Sequence, residues 1–418
     1  MAVVLANLSV QLSRFAPKND IQYMKVKLLL CLLLFICSAS FAQSDSTALK
    51  QDSIPPQQDS VAPTQDSSKF DKMNAKMEKL FKIIPVPIVT YSTEAGQVLG
   101  LAKFNLIQLS KKDTISKPSK ISEVVTFSTK GRINVSVSTE LIFKQNKYNV
   151  LSYINYKKQP EYLFGIGNDV VKDSVEEVTS ERIKFSFVGL RRIQKNFLAG
   201  IAFDYDNYFK IKVDSNSFLH GYQYMPPQPV AGVDGGTSVG IGFAAAYDSR
   251  ENRYNAYQGA YVLTSFMWHP EFLGSRYQYT TLQVDVRKYF NPWFKHVIAL
   301  QATNMWVDGN TPFYKLSLLG GDSKMRGYYE GAYRDNVLLD AQIEYRMPIW
   351  KIFGVVAWAG TGRVAESYSK LSIDGFRGSY GWGIRFRVDS KNNTNLRLDF
   401  GYGPNGLRGT YINFAEAF

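Results

Sequence analysis

From residue 83 to the last residue, the sequence is a succession of segments of roughly ten residues, separated by turn residues, the pattern of a transmembrane barrel. Apolar and polar residues alternate most regularly at residues 133–143, 282–287, 339–347 and 384–389. Because successive side chains of a strand point to opposite faces, each segment presents one apolar and one polar row. This pattern predicts an all-β protein.

Connection lengths separate a membrane barrel from a soluble β-sandwich, in which apolar and polar residues also alternate. Short links at residues 145–146, 194–195, 291–292 and 390–393 interleave with long links at residues 158–180, 211–235 and 307–334. One rim therefore has short turns and the other long loops. The predicted fold is a transmembrane antiparallel β-barrel of about sixteen strands.

Residues 1–42 contain a predicted secretory signal. Lys25 and Lys27 precede ten apolar residues, 28–37, and a small-x-small sequence ends at Ala42. The apolar run is shorter than the ~20 residues that a spanning helix needs. We expect cleavage after Ala42 and a true translation start at Met24.

Residues 43–82 are rich in Ser, Gln, Asp and Pro, and Gln-Asp-Ser recurs at 51, 58 and 65. Such a segment has too little apolar surface to fold by itself. We expect a disordered periplasmic leader that includes a short helix at residues 71–81. The barrel domain is then residues 83–418.

Cysteine usage and charge exclude several classes of function. Both cysteines, Cys31 and Cys37, lie in the predicted signal, so the exported protein would have no thiol, disulfide or cysteine metal ligand. The net charge is +13, and the first 42 residues contribute four cations and one anion, which leaves +10. On an exported protein this charge favours contact with anionic outer-membrane lipid, including lipopolysaccharide, over nucleic acid. We expect no cofactor.

Motifs spread over residues 83–418 resemble the bacterial surface antigen superfamily, the BamA/TamA-like outer-membrane barrels. Residues 85–87 with 91–96 resemble the first hairpin of the family, and residues 247–252 with Gly259 its middle motif. Residues 320–328, 333–336 and 344–348 resemble its sixth outer loop and the strand that follows. Eleven predicted segments precede that loop and five follow it, as in the family.

The resemblance implies a non-catalytic outer-membrane barrel of a Gram-negative bacterium, with the sixth extracellular loop folded inward. It also implies a role in inserting or translocating client outer-membrane or secreted polypeptides, or lipids. Two features depart from the family. Residues 43–82 are too few for its polypeptide-transport-associated (POTRA) domains, so we expect a short member without them. At Trp358-Ala359-Gly360 the family often has an inward Asp before Ala-Gly.

The sixth-loop motif consists of Gly320, Gly321, Arg326, Gly327 and Tyr328. Inside a low-dielectric lumen an unpaired guanidinium has a large desolvation cost, so Arg326 is expected to meet an inward carboxylate. By strand parity Glu344 is the best partner, followed by Asp340 and Asp399. The arginine fork can hold a carboxylate through two parallel hydrogen bonds. In the alternative interpretation, Arg326 extends from an outer loop and Glu344 only hydrates the lumen.

The first and last strands form a predicted seam at Pro85, Pro87, Phe414 and Phe418. The two prolines, two residues apart, remove N–H donors from one edge of the first strand. Ile412, Phe414 and Phe418 follow a period of two, and the final aromatic residue resembles the recognition signal of outer-membrane barrels. This arrangement resembles the lateral gate of the family. Alternatively, both prolines precede the paired part of the strand.

A pore and an enzyme are the competing functions. Inward cations that would line an anion-preferring pore are Arg385, Arg387, Arg397, Lys184 and Arg287. A hydrolase would need a nucleophile beside a histidine. His220 and His269 map to the outer rim and His296 to the inner rim, and none has a nucleophile at suggestive spacing. The sequence therefore predicts no enzyme and no metal site.

Overall fold

The computed structural model describes residues 85–92, 96–110, 112–113, 115–116, 118–169, 175–221, 229–389, 393–404 and 406–418. The predicted start at Met24, the signal (1–42) and the leader (43–82) lie outside the described residues. Nearly all described residues belong to one compact unit. Residues 369–374 belong to a second, small unit, in which the Ser372 hydroxyl donates to the Asp374 carbonyl at 2.9 Å.

Within the described residues, the regular structure consists of eighteen strands and short 3-10 turns. The strands are β1 Val86–Ser92, β2 Gly96–Ile107, β3 Ser119–Ser128, β4 Ile133–Phe143, β5 Tyr148–Leu163, β6 Glu176–Gln194, β7 Phe197–Lys212, β8 Gly236–Asp248, β9 Gly259–His269, β10 Tyr279–Phe290, β11 Val297–Gly309, β12 Ser317–Leu319, β13 Tyr333–Asp335, β14 Val337–Trp350, β15 Phe353–Ala365, β16 Arg377–Asp389, β17 Thr394–Tyr402 and β18 Arg408–Phe414. The 3-10 turns are Phe218–His220, Glu271–Leu273, Phe313–Lys315 and Tyr368–Lys370. No helix among the described residues is long and apolar enough to cross a membrane.

Sixteen of the strands form one antiparallel sheet in which each strand pairs with its neighbours along the chain, and β12 and β13 form a separate hairpin. The first and last strands, β1 and β18, lie against each other, so the meander curls into a barrel. Eleven strands precede the β12–β13 hairpin and five follow it. The predicted all-β barrel of sixteen antiparallel strands is confirmed.

The two faces of the sheet differ as the alternation predicts. In β14 the even-numbered side chains Gln342, Glu344 and Arg346 are buried in the lumen, whereas Ile343 on the outer face is 47% exposed. On β7 and β8, Ile201 and Phe243 are likewise exposed on the outside, at 62% and 72%. An apolar outer face around a polar interior is the arrangement that a bilayer requires.

The two rims also differ as predicted, with one correction. Short turns at residues 144–147, 195–196 and 351–352 use residues of positive φ, including Asn146, Asn196 and Lys351. On the other rim, residues 213–235 and 310–336 are long connections. Residues 158–163 and 176–180 of the loop predicted at residues 158–180 are strand, because β5 and β6 have 16 and 19 residues. Since about 9–11 residues cross a membrane, these strands project beyond it, where apolar alternation is not needed.

Candidate functional site in the barrel lumen

Loop six, residues 310–336, connects β11 to β14 and folds into the barrel. Its β12–β13 hairpin forms a stem, and the segment between these strands carries the predicted motif. Arg326 and Tyr328 at its centre are 0% and 1% exposed. The inward sixth loop is therefore confirmed.

Arg326 reaches two carboxylates on opposite sides of its guanidinium. Nη2 lies 2.6 Å from Glu344 of β14, and Nη1 lies 2.7 Å from Asp399 of β17. All three side chains are fully buried. The fork does not hold one carboxylate through two parallel bonds; it joins two strands of the wall instead.

Asp340, the second partner expected for Arg326, bonds elsewhere. Its carboxylate accepts a hydrogen bond of 2.6 Å from the hydroxyl of Thr303 on β11. Asp340 and Glu344 share the inner face of β14, but four residues of strand separate them by about 13 Å. The parity argument selected the correct face, yet it could not select the height along the barrel at which Arg326 enters.

Three further arginines complete a buried ionic network around Arg326. Arg346 lies 2.8 Å from Glu344, and Arg397 lies 2.9 Å from Asp399. Arg385 bonds to Asp399 and, at 2.6 Å, to Glu416. Arg397 also approaches Asp322 of loop six at 3.6 Å. Four arginines thus face three buried carboxylates and the half-exposed Asp322, which offsets the cost of burying the charges.

This network contains two of the five cations expected to line a pore, Arg385 and Arg397. A third, Arg287, is bound to Asp285 on its own strand at 2.6 Å. These side chains are held by carboxylates within the structure, and Lys184 lines a separate cavity described below.

The backbone of loop six lies directly on β17. Gly327 has a φ of +110°, and a Cβ there would lie 2.7 Å from the backbone of Tyr402. A Cβ on Gly401 of β17 would lie 2.6 Å from the Arg326 carbonyl carbon. Only residues without a side chain allow two backbones to approach so closely. The glycine of the Arg-Gly-Tyr motif is therefore required by both its φ and its neighbour.

Two hydroxyl groups bind the backbone of loop six. The Ser379 hydroxyl of β16 donates to the Arg326 carbonyl, and the Gly327 N–H donates to the Tyr411 hydroxyl of β18 at 2.9 Å. The loop is thus attached to the last strand of the barrel as well as to β14 and β17.

Tyr328 fastens the loop by packing and by its hydroxyl. The side chain packs with Leu319, Met325 and Leu338, and its hydroxyl donates to the Gly378 carbonyl at 2.9 Å. Burial raises the pKa of Tyr328 to about 12. The remaining motif glycines, Gly320 and Gly321, have φ values of +107° and +128° at the end of the stem.

The predicted seam residues separate into two groups. Pro87 lies inside β1, paired with Leu101 of β2, whereas Pro85 precedes the strand. Phe414 ends β18, paired with Leu396 of β17. Phe418 does not belong to the seam. It is 5% exposed and packs inside the barrel against Tyr289, with Val297 and two alanines.

The reversal occurs at Ala415, whose φ of +67° takes the chain out of the strand and into the lumen. Glu416 then accepts hydrogen bonds from Arg385 and from Asn395, the latter at 2.7 Å. Arg346 donates to the Phe418 carbonyl at 2.8 Å. The sequence signal for this turn was Glu416, an acidic residue within the apolar period of two from Ile412 to Phe418.

The middle motif organises the short-turn rim. Arg250 binds Asp248 through Nε at 3.0 Å and Nη2 at 3.2 Å, and Arg253 lies 3.1 Å from the same carboxylate. The Tyr254 carbonyl accepts a hydrogen bond of 3.1 Å from the Glu416 N–H. This turn therefore holds the inward segment of residues 415–418.

The three histidines lie where the sequence placed them. His220 is in the long β7–β8 connection and His269 ends β9, whereas His296 is in the short β10–β11 turn. His296 Nδ1 is 2.8 Å from the Tyr345 hydroxyl, and His269 Nε2 is 3.6 Å from Asp204. Within the described ranges, no group of three or more His, Cys, Asp or Glu side chains is arranged to hold a metal ion.

Three comparisons relate this chain to known proteins. The model of the Omp85 superfamily domain matches residues 126–414. The structure of CdiB from Escherichia coli is similar with a TM-score of 0.50 and 11% identity, over 80% of this chain and 62% of that chain. BamA from Haemophilus ducreyi, solved without POTRA domains 1–3, gives a TM-score of 0.48 and 14% identity, over 83% and 77%. A search of curated proteins found no significant match.

At these identities the structural likeness to CdiB supports the fold alone, and the chain spans less than two thirds of the CdiB chain. The family match runs from β3 to the end of β18 and covers more than half of the sequence. It therefore establishes the family of the chain and not only its fold. The resemblance to BamA/TamA-like barrels inferred from the motifs is confirmed. The chain belongs to the Omp85 superfamily of outer-membrane β-barrels.

Proposed function

We propose that this barrel assists the insertion or translocation of polypeptides, or of lipids, at the outer membrane by opening between β1 and β18. The observation that carries the proposal is the unequal fastening of these two strands. β18 is tied to the lumen, because its Tyr411 hydroxyl binds Gly327 of loop six at 2.9 Å. The segment after β18 is tied through Glu416 and Phe418.

β1 has a weaker set of attachments. It has seven residues, and its register pairs only with β2. Pro87 within it cannot donate a backbone hydrogen bond. β1 and β18 are in contact, but they stand at opposite ends of the hydrogen-bonded strand order. Separation at this junction would disrupt fewer interactions than separation between β5 and β6, which pair over sixteen residues.

Family membership supports the same function, since BamA/TamA-like barrels assemble outer-membrane proteins or transport polypeptides. The network around Arg326 would hold part of the barrel wall in place while β1 moves. It connects loop six to β14 and β17 through Glu344 and Asp399, and neither of these strands borders β1 in the strand order. The proposed opening therefore leaves the network intact.

Site-specific photo-crosslinking in cells tests this function. A crosslinker at Ile88 of β1 or Ile412 of β18 is expected to capture nascent barrel or secreted polypeptides. The matched control is Ile343, an outward residue of β14 with 47% exposure against 44% for Ile412. Capture of lipid alone at the seam would assign lipid handling.

A passive pore gives a different result in the same cells and in planar bilayers. Equal capture at Ile343 and Ile412, or no capture at all, together with steady ion conductance, would favour the pore and reject the lateral opening. An engineered disulfide across the seam adds a second measurement. Because Cys31 and Cys37 are the chain's only cysteines and precede the barrel, introduced cysteines would have no competing thiols in it.

A further inference from the structure

A cavity of about 1140 Å³ lies in the lumen between loop six and the opposite wall. Side chains from β5, β6, β7, β9, β10 and β11 line that wall, mostly from the long-loop half of each strand. Loop six closes the other side with residues 314–316, 318, 320–322, 324, 328–330 and 334. The network around Arg326 meets the cavity only at Asp322: neither Arg326 nor its two carboxylate partners lines the cavity.

The cavity has a strong excess of positive charge. Eight lysine and arginine side chains line it, against four carboxylates. Three of these carboxylates already have partners in the protein: Glu161 with Lys157 at 3.7 Å, Asp204 with Lys315 at 3.6 Å, and Asp322 with Arg397 at 3.6 Å. The fourth, Glu330, is exposed. Little negative charge is left for the remaining cations.

A carboxylate behind the cavity wall neutralises Arg182 and Lys315. Both bind Asp206, which is fully buried, and the Lys315 contact is 2.7 Å. Five other lining cations, Arg132, Lys184, Lys324, Arg334 and Arg408, form no ion pair with any described residue. Their charges therefore accumulate on one side of the lumen.

Two of these arginines also have unused hydrogen-bond donors. Nε and Nη2 of Arg132, which form one edge of its guanidinium, have no partner among the described residues. Arg334 is 2% exposed, and its Nε is likewise without a partner. Burial lowers the pKa of Arg334. A buried guanidinium edge without an acceptor is costly in a folded protein, and it suits a phosphate or carboxylate.

We propose that this cavity binds a ligand that carries two or more phosphate groups. The paired donors of Arg132 and the buried Arg334 supply directional hydrogen bonds, and Lys184 and Lys324 supply point charges. Ligand pockets commonly have volumes of about 300–1000 Å³, so the cavity exceeds the needs of a single phosphate ion. The ligand class is a phosphorylated headgroup or a soluble polyphosphate of comparable size.

The test is calorimetric titration of the folded barrel in detergent with tripolyphosphate and, separately, with inorganic phosphate. Tripolyphosphate is expected to bind more tightly than phosphate, with an affinity that falls as salt is added. A third titration, with lipid A in mixed micelles, tests whether the site binds a lipid headgroup. If lipid A binds and tripolyphosphate displaces it, the site takes a lipid headgroup; if only tripolyphosphate binds, it takes a soluble anion.

Arg132→Gln and Lys184→Gln are expected to weaken tripolyphosphate binding about 10-fold each. Lys195→Gln is the matched control, since it removes the same charge from an exposed two-residue turn on the opposite rim and should leave binding unchanged. Because Lys184 has no ion-pair partner, its substitution should not lower the melting temperature without ligand. Absence of binding at low salt, or equal weakening by all three variants, would overturn the proposal. Neither outcome depends on whether the seam opens.

Discussion

The guanidinium carbon of Arg326 lies 3.6 Å from the centre of the Trp358 ring. Its terminal nitrogens bind Glu344 and Asp399, so the charged edge meets carboxylates while one flat face is covered by the indole. This contact explains why residue 358 is Trp, where the family often has an inward Asp. The aromatic ring interacts with the cation through its π-electrons and excludes water without adding a charge.

Replacing Trp358 by Leu should loosen loop six while keeping an apolar residue at the site. A desolvated cation–π contact contributes about 2 kcal/mol, so we expect a comparable loss of unfolding free energy. Trp382→Leu is the control, because Trp382 is on the outer face of β16 and 44% exposed. Urea unfolding of the barrel in lipid vesicles measures both. Equal losses in the two variants would contradict a specific role for Trp358.

Arg326→Ala and Glu344→Ala should each destabilise the barrel, because each leaves buried charge with fewer partners. Breaking a buried ion pair typically costs about 3–5 kcal/mol. The double variant should be little worse than the more damaging single variant, since the pair is lost once. The same unfolding measurement gives the coupling energy. Additive losses would show that the two side chains act independently.

Strand parity was sufficient to predict which face of β14 turns towards Arg326, but not which carboxylate on that face reaches it. Alternation in residues 339–347 placed Glu344 and Asp340 on one face, and β14 confirms that face. The choice between them depends on how deeply loop six enters, which local sequence does not encode. The covering of Arg326 by Trp358 is equally non-local, because residues 32 positions apart meet only when the barrel closes.

The sequence was least informative where the chain leaves regular structure. A period of two continued from Ile412 to Phe418 and predicted one strand, whereas Ala415 turns inward with a positive φ that alanine rarely adopts. The extension of β5 and β6 beyond the membrane was also missed. Most residues of these extensions are polar, and the apolar Leu163 and Val178 are buried in a cluster with Tyr208 and Leu219, so the regular apolar alternation is absent there.

Gly401→Ala should displace loop six without changing any charge. The added methyl group would lie 2.6 Å from the Arg326 carbonyl carbon, too close for a backbone contact. Gly378→Ala is the matched control, because a Cβ at Gly378 would have no neighbour within 4 Å. We expect faster protease cleavage within loop six in the Gly401 variant only. Equal protection in both variants would mean that the loop tolerates a gap from β17.

Asp113, in the β2–β3 connection, should make the short-turn rim sensitive to acid. Hydrogen bonds from the Ser116 hydroxyl, and then from the Gln145 N–H, lower the pKa of Asp113 from 3.8 to about 2. A depressed pKa means that the folded state binds the proton less well than the unfolded state. The stabilisation is therefore present above pH 3.8 and is lost as the pH falls towards 2.

Amide exchange at Gln145 measures this effect, since its N–H donates to Asp113 at 2.9 Å. Protection in the natural protein should decline between about pH 4 and pH 2 beyond the intrinsic exchange trend. Asp113→Asn should already be less protected at neutral pH and should lack this decline. Identical pH profiles for the two proteins would argue against the hydrogen bond as the cause.

Phe418→Ala should destabilise the barrel from inside the lumen. Phe418 packs on Tyr289 and Val297, and Arg346 donates to its carbonyl. Truncation of a buried Phe typically costs about 3–5 kcal/mol, because it removes apolar contact and leaves a cavity. Ile412→Ala is the control on β18, since Ile412 is outward and 44% exposed. Thermal unfolding in detergent should show the larger loss for Phe418→Ala; a larger loss for Ile412→Ala would indicate that the segment after β18 does not hold the strand to the lumen.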